Sequence, residues 1–171
     1  MLTIDQLNAI DREPFIELLG GIFEHSPWVA EKAWESKPFT SFLHLHKEMV
    51  KVVEFSSKTQ KIALIQNHPN LGDRVQMSEE SVNEQKGAGL TDLTPEEYAN
   101  FIRMNQQYMD TFSFPFILAV RGKNKHDIYK AMEERVHNDK KREFETALKE
   151  IYKIALLRLD EKFKTHVEEN R

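Results

Sequence analysis

Signals that begin and end α-helices recur along the whole chain, and they constrain its fold more than any other feature. The clearest is Thr94–Glu97, where a threonine N-cap, a proline at the first helical position and a capping-box glutamate occur together. Thr3–Gln6 has the form of a second capping box. Only Phe114–Gly122 has the composition of an extended run, and a single run of this kind does not make a sheet. The sequence therefore predicts an all-α fold.

Apolar residues at helical spacing fill the intervals between these signals. Helices are predicted over 3–10, from Pro14 to Phe23, over 28–34, over 40–53, over 62–65, from Ser78 to Gly87, from Thr94 to Tyr108, over 126–136, and from Lys140 to beyond Phe163. A chain of 171 residues without a Pro/Gly/Ser-rich linker fits one domain. We predict a single bundle-like domain of about eight helices over 1–160, with 161–171 as a charged tail or an extension of the last helix.

Composition excludes several classes of protein. The chain has no cysteine, which excludes disulfides, thiolate nucleophiles, zinc ribbons and iron–sulfur clusters, and which fits a reducing compartment. Acidic and basic residues alternate around a net charge of −4, so no basic block predicts binding to nucleic acid. The longest apolar runs, such as Ile117–Val120, are too short for a membrane span. We therefore expect a soluble, cytoplasmic protein with no membrane partner.

His68 is the most informative of the seven histidines. The others lie on charged helical faces, near helix ends or in a turn, where surface positions are predicted: His25, His44, His46, His126, His137 and His166. His68 instead follows an apolar helix, and Pro69 disfavours helical geometry at the residue before it. An imidazole held at a helix exit is suited to proton transfer near neutral pH. The alternative is a histidine that ends the helix and caps its carbonyl groups.

One face of the helix after Ser78 carries Ser81, Glu84, Gln85 and Ala88, which follow the i, i+3, i+4, i+7 spacing. This face either is solvated or lines a pocket. In a pocket, Glu84 could accept a hydrogen bond from an imidazole and raise its basicity.

Arg158 is an unusual charge because the surrounding segment, Ile151–Leu159, is otherwise mostly apolar. A guanidinium among buried residues needs a partner, and a planar carboxylate matches it best. The sequence leaves three roles open: binding of an anionic ligand, a structural ion pair, or a side chain that extends to the surface.

Other chemistries lack their sequence signatures. No glycine-rich loop follows a strand, and no nucleophile elbow is present. His44 and His46 project on different sides of a helix, without an HExxH pattern or a cluster of carboxylates. No metal site is therefore predicted.

The motifs described above, taken in order, resemble a known family. They are Asn67–Gly72, Ser81–Gln85, Ala88–Leu90, Phe112–Gly122 and Glu150–Leu159. Together they resemble the 2-oxo-4-hydroxy-4-carboxy-5-ureidoimidazoline (OHCU) decarboxylases, which catalyse the last step from urate to (S)-allantoin. The resemblance extends to about residue 160. It implies an all-helical and usually dimeric enzyme that needs no cofactor.

The resemblance also implies roles for the matched residues. His68 looks like the catalytic histidine, and Glu84 looks like its acidic partner. The residues that look like substrate ligands are Pro69, Ser81, Gln85 and Arg158, with backbone hydrogen bonds offered at Phe116 and Ile117. One departure is that the loop between His68 and Ser81 is shorter than in many members. Members also occur fused to urate oxidase, so the resemblance implies fusion or association with that enzyme.

The residues of this sequence are also compatible with two other functions. One is a non-catalytic helical binding module, in which His68 is a helix cap. The other is a hydrolase of a related ureide, in which His68 and Glu84 activate water.

Overall fold

The computed structural model describes residues 2–73 and 77–164. Those residues form nine α-helices, one 3₁₀ turn and no β-strand, which confirms the all-α prediction. The helices are α1 (Ile4–Ala9), α2 (Arg12–Leu19), α3 (Trp28–Ala33), α4 (Phe42–Glu54), α5 (Lys58–Gln66), α6 (Glu79–Gly87), α7 (Pro95–Phe112), α8 (Lys125–Arg135) and α9 (Lys140–Phe163), with the 3₁₀ turn at Trp34–Ser36. None of these described helices is both long enough and apolar enough to cross a membrane.

Local capping sets most of the helix starts. The Thr94 hydroxyl accepts from the Glu97 backbone N–H at 3.1 Å, and the Glu97 carboxylate accepts from the Thr94 N–H at 2.9 Å. Thr3 and Gln6 form the same reciprocal pair at the start of α1. Asn124 caps α8 in a third capping box, which was not predicted from the sequence. The predicted ends of α5 and α6 are also confirmed, at Gln66 and Gly87.

Several predicted boundaries differ from the structure; α5, for example, begins at Lys58 rather than at residue 62. Helix α2 begins at Arg12 rather than Pro14, and it ends at Leu19 rather than at Phe23. Proline is tolerated inside the first turn because the N–H groups there have no intrahelical partner. Helix α9 ends at Phe163, and Lys164 has a positive φ of 49°. The rest of the predicted tail, residues 165–171 with His166, lies outside the described residues.

The described residues fall into two compact units, which we call the terminal unit (2–64 and 152–164) and the central unit (65–73 and 77–151). The single domain predicted over 1–160 stays a prediction. In the terminal unit, the Phe15 ring packs edge-on against Trp34 at 5.2 Å and is stacked with Phe39 at 5.9 Å. The Lys37 ammonium lies 3.5 Å from the centre of the Trp34 ring.

His46, also in the terminal unit, is buried, so its predicted surface position is wrong. It is 8% exposed, and its Nε2 lies 2.8 Å from the carbonyl oxygen of Tyr152. The charged neighbours of His46 in the sequence pointed to a solvated face. However, His46 shares the buried face of α4 with Met49 and Val53.

An aromatic cluster forms much of the core of the central unit. Tyr108 and Phe112 of α7 lie with their ring centres 4.5 Å apart. Phe114 and Phe116 follow the helix, and their rings lie 6.1 and 5.3 Å from that of Tyr108. Ser113, at the end of α7, takes a left-handed conformation with φ of 68°. These contacts fix the non-helical segment between α7 and α8, which includes the predicted binding residues Phe116 and Ile117.

Candidate active site

His68 lies in the turn directly after α5, as its sequence context predicted. Its backbone N–H donates to the Ile65 carbonyl at 3.1 Å, which closes the turn. Leu64 and Ile65 are fully buried and anchor the end of the helix, while His68 itself is 8% exposed. Pro69 follows and stops the helix from continuing. The backbone that carries the His68 imidazole is therefore held in place by a hydrogen bond and by buried neighbours.

Side chains from α6 and α7 hold the segment that follows His68. The Asn105 side-chain amide donates to the Leu71 carbonyl at 2.9 Å. The Gly72 N–H donates to Oε1 of Gln85 at 2.9 Å. Gly72 has a φ of 79°, a conformation that suits glycine. The second of these hydrogen bonds connects the His68 segment to Gln85, one of the predicted substrate ligands.

The predicted polar face of α6 is mostly buried. Ser78 caps the helix, and its hydroxyl accepts from the Ser81 N–H at 3.1 Å. Ser81, Gln85 and Ala88 are only 4%, 5% and 5% exposed. Glu84 is half-buried. The solvated-stripe alternative is therefore wrong for this face. The proposed pairing of Glu84 with His68 stays a prediction.

Gln85 also borders a cavity of about 340 Å³ within the central unit. Asp73, Thr91 and Tyr98 contribute the other polar side chains of its lining, which includes Met77. The Gln85 side-chain amide donates to the sulfur of Met77 at 3.4 Å. His68, Ser81 and Glu84, which the structure describes, do not line this cavity. Among the predicted ligands, Gln85 therefore both contacts the segment after His68 and borders the cavity.

The segment around Ile117 has one edge held by polar side chains. The Ile117 carbonyl accepts from Nη1 of Arg135 at 2.6 Å, and the Ala119 N–H donates to Oε1 of Glu150 at 3.1 Å. In a trans peptide the C=O and the next N–H point in opposite directions. The N–H and C=O of Leu118 therefore point away from Arg135 and Glu150. The opposite edge of the segment therefore carries one donor and one acceptor, beside the predicted binding residues.

A buried ion pair lies behind this segment. Glu143 is fully buried, and its two carboxylate oxygens accept from Arg135 at 2.8 to 3.2 Å. It also accepts from the Tyr108 hydroxyl at 2.6 Å and from the Asn138 amide at 2.9 Å. Burial alone would raise the pKa of Glu143, but these hydrogen bonds outweigh burial and lower it. Burial, followed by the hydrogen bond to Glu143, raises the pKa of Tyr108.

Sequence reasoning missed Arg135, Glu143 and the contact of Glu150. One signal could have found the two glutamates. They stand at i and i+7 on α9, with Ala147 between them at i+4, so they share the face that carries buried apolar residues. A buried carboxylate needs a hydrogen-bonding partner. No comparable local signal marks Arg135.

Arg158 has a buried carboxylate partner in the terminal unit. Its Nη2 donates to Oε2 of Glu24 at 3.0 Å, and its Nη1 donates to the Gly21 carbonyl at 3.1 Å. The two charged side chains are 4% and 0% exposed. A structural ion pair was one of the three roles that the sequence left open for Arg158, and the structure contains it. Binding of substrate by Arg158 stays a prediction, and all the other predicted site residues belong to the central unit.

Metal-binding residues do not cluster in the part of the chain that the structure describes. There, no group of three or more His, Asp or Glu side chains is placed to hold a metal ion.

Comparison with known proteins identifies the family. The OHCU decarboxylase family model matches residues 8–160. The chain belongs to the OHCU decarboxylase family. One relative within this family, a 2-oxo-4-hydroxy-4-carboxy-5-ureidoimidazoline decarboxylase of Halalkalicoccus jeotgali, is 42% identical and aligns over 94% of this chain and 91% of its own length. The family resemblance seen in the sequence motifs is therefore confirmed.

Some relatives of this OHCU decarboxylase family member are much longer. The "uric acid degradation bifunctional protein" of Bacillus sp. (strain TB-90) is 47% identical over 96% of this chain. The chain spans only 33% of the length of that relative. It spans 32% of the length of the "uric acid degradation bifunctional protein PucL" of Bacillus subtilis. A crystal structure of an (S)-allantoin synthase is similar with a TM-score of 0.74 and 34% identity, over 94% of this chain and 54% of that one.

Proposed function

We propose that this protein decarboxylates OHCU to (S)-allantoin in urate catabolism. The observation that carries the proposal is the match of the family model over residues 8–160, a range that contains every predicted site residue. The ligands implied by the family resemblance supply donors and acceptors suited to a ureide.

The chemistry asks for positioning more than for a strong catalyst. The carboxylate of OHCU is attached to a carbon next to a ring C=N bond. When the C–C bond breaks, its electron pair moves into the C=N group, CO₂ leaves, and an enamine-like intermediate remains. The 4-hydroxyl on the former carboxylate carbon then loses its proton and becomes the ring carbonyl, while a proton adds from one face to the neighbouring carbon that carries the ureido group, which sets the S configuration. The proposal needs no cofactor, because the substrate itself accepts the electron pair.

The predicted site residues would divide this work among them. His68, oriented by Glu84, would assist the proton movements, and Pro69 would hold the backbone of His68 in place. Ser81, Gln85 and Arg158 would orient the substrate's polar groups. The backbone at Phe116 and Ile117 would bind the ring. The donor and acceptor of Leu118, which point away from Arg135 and Glu150, support this last role.

The proposal extends to assembly and location, where it rests on the family resemblance. We expect a cytoplasmic homodimer that is fused to, or associates with, urate oxidase. The relatives described as bifunctional in uric acid degradation support the coupling, since this chain spans only about a third of each. Co-expression with a urate oxidase, followed by sedimentation of the purified protein, would test both the dimer and the association.

The decisive experiment follows freshly generated OHCU by circular dichroism, with and without the protein. Decarboxylation predicts faster formation of the S product together with release of CO₂. A hydrolase would open the ring without releasing CO₂. A non-catalytic binding module would leave the rate unchanged, and folded protein that gives no acceleration would defeat the proposal.

Replacing His68 by alanine should remove most of the turnover while the far-ultraviolet spectrum stays native. Positioned acid–base catalysis is typically worth about 10²–10⁴-fold in rate. His126→Ala is a suitable control, because His126 lies at the exposed start of α8 in the same unit. Turnover in His68→Ala that matches the control would remove His68 from the mechanism.

Replacing Arg158 by alanine should weaken binding of (S)-allantoin, which calorimetry can measure. Arg158→Lys keeps the charge beside Glu24 and separates loss of a ligand from loss of the ion pair. Thermal unfolding of both variants identifies any that fail to fold. A folded Arg158→Ala variant with unchanged affinity would restrict Arg158 to its structural role.

A further inference from the structure

We propose that Arg135 and Glu150 are positioning residues for the substrate ring, because together they set the orientation of the two peptide groups that flank Leu118. Glu143 assists by fixing Arg135. This inference rests on the proposed function, since it assumes that the ring binds at the segment around Phe116 and Ile117.

The two anchors act on consecutive peptide groups. The Arg135 guanidinium donates to the Ile117 carbonyl at 2.6 Å, and the Glu150 carboxylate accepts from the Ala119 N–H at 3.1 Å. Hydrogen bonds with one charged partner are stronger than those between neutral groups. Together the anchors set the direction in which the N–H and C=O of Leu118 point.

Arg135 is itself held from several sides. Its Nε and Nη2 donate to the Glu143 carboxylate at 2.8 to 3.2 Å, and its guanidinium carbon lies 4.2 Å from the centre of the Phe116 ring. The Arg135 and Glu143 side chains are 13% and 0% exposed. Tyr108 and Asn138 hold Glu143 in turn. The guanidinium therefore has little freedom to rotate, and it transmits the rigidity of α7, α8 and α9 to the segment.

A cyclic ureide makes this orientation important. Its ring edge alternates N–H donors and C=O acceptors, which match the donor and acceptor of one residue's backbone. If the peptide groups tilt, both hydrogen bonds lengthen in the ground state and in the transition state alike. Loss of such uniform binding raises KM while kcat changes little.

Arg135→Lys provides the first test. Lysine keeps the positive charge beside Glu143, but a single ammonium group cannot bind both carboxylate oxygens and also reach the Ile117 carbonyl in the same geometry. We expect KM for OHCU to rise about tenfold, with kcat within about threefold of the wild type. A purely structural role would instead lower kcat, through loss of folded enzyme, and leave KM unchanged.

Glu150 provides an independent pair of variants. Glu150→Gln keeps an oxygen that can accept from the Ala119 N–H, whereas Glu150→Met does not. We expect Glu150→Gln to keep the wild-type KM and Glu150→Met to raise it. In ¹⁵N-labelled protein, the amide resonances of Leu118 and Ala119 should shift in Arg135→Lys and in Glu150→Met.

Lys125→Met is the matched control. Lys125 of α8 forms a separate ion pair with Glu97 of α7, at 2.7 Å. Within the described residues, neither side chain bonds to the segment around Ile117. This variant should keep both kinetic constants.

The outcomes separate the inference from the proposed function. Wild-type protein that does not accelerate OHCU decarboxylation would defeat the proposed function. Active wild-type protein, with a wild-type KM in folded Arg135→Lys and in folded Glu150→Met, would overturn this inference alone. If Arg135→Lys does not fold, the comparison of Glu150→Gln with Glu150→Met decides the matter. Should neither Arg135→Lys nor Glu150→Met fold, native amide shifts and KM in Glu150→Gln would support the inference, and changed values would overturn it.

Discussion

Replacing Glu24 by alanine should lower the unfolding free energy by about 3–5 kcal/mol, the typical cost of leaving one partner of a buried ion pair uncompensated. The Arg158 and Glu24 side chains are 4% and 0% exposed, so solvent screens the remaining charge very little. The Gly21 carbonyl, 3.1 Å from Nη1 of Arg158, would offset only part of the lost interaction.

This loss is a large fraction of the roughly 5–15 kcal/mol by which proteins are usually stable. At roughly 2–4 °C per kcal/mol for a domain of this size, the midpoint of thermal unfolding should fall by roughly 6–20 °C. Glu24→Gln keeps an acceptor for Nη2 of Arg158 but loses the negative charge. Its unfolding free energy should therefore lie between those of the wild type and Glu24→Ala.

Urea and thermal unfolding, followed by ellipticity at helical wavelengths, would measure these differences. Glu35→Ala is a matched control in the same unit, because Glu35 pairs with Lys32 at 3.9 Å and both side chains are exposed, 70% and 68%. Such exposed pairs usually contribute about 0–1 kcal/mol. If Glu24→Ala were no less stable than Glu35→Ala, the guanidinium would be compensated by other groups, and the reasoning would be refuted.

Two further predictions concern the central unit. Gly72→Ala should lose about 2–4 kcal/mol, because its φ is 79° and an added Cβ would lie 3.2 Å from Leu93 and Phe101. Gly122→Ala, with φ of 78° and open space around the added atom, should lose only about 1–2 kcal/mol in the same urea experiment. Equal losses would contradict the steric argument. Glu143 and Glu97 both have pKa values below the usual 4.5, that of Glu97 being about 2 because Lys125 and the Thr94 N–H hold its carboxylate. The folded state therefore binds fewer protons than the unfolded state, so their stabilisation is fully present above pH 4.5 and is lost as the pH falls from there towards about 2. Unfolding by urea at a series of pH values should show this decline, and a Glu143→Gln variant should show a shallower one. An identical slope in that variant would mean that Glu143 does not contribute.

Helix boundaries could be predicted wherever a side chain and the backbone three residues away decide them. The start of α7, capped by Thr94, is of this kind, whereas the end of α6 at Gly87 was indicated by its glycines. The start of α2 was missed because its N-cap residue, Asp11, makes no side-chain capping hydrogen bond, while Pro14 supplied a stronger but misplaced signal. Local chemistry therefore predicted the fold class and most element ends.

Partners that are distant in the chain could not be predicted in the same way. Arg158 was expected to need a carboxylate, but nothing in its surroundings indicates Glu24, 134 residues away. His46 was placed on the surface for the same reason, since its burial depends on which face of α4 is covered. The candidate site was found through its motifs, while the groups that hold its backbone, Arg135 and Glu143, became visible only in three dimensions.

The position of the tryptophans gives the protein two separate optical signals. Trp28 and Trp34, the two tryptophans of the chain, both belong to the terminal unit, and Trp34 packs against Phe15. Fluorescence excited selectively at tryptophan therefore reports on the terminal unit, whereas ellipticity reports on the helices of both units. Coincident midpoints from the two probes would show that the units melt together. Separate midpoints would give each unit its own stability, and would show in which unit each substitution acts.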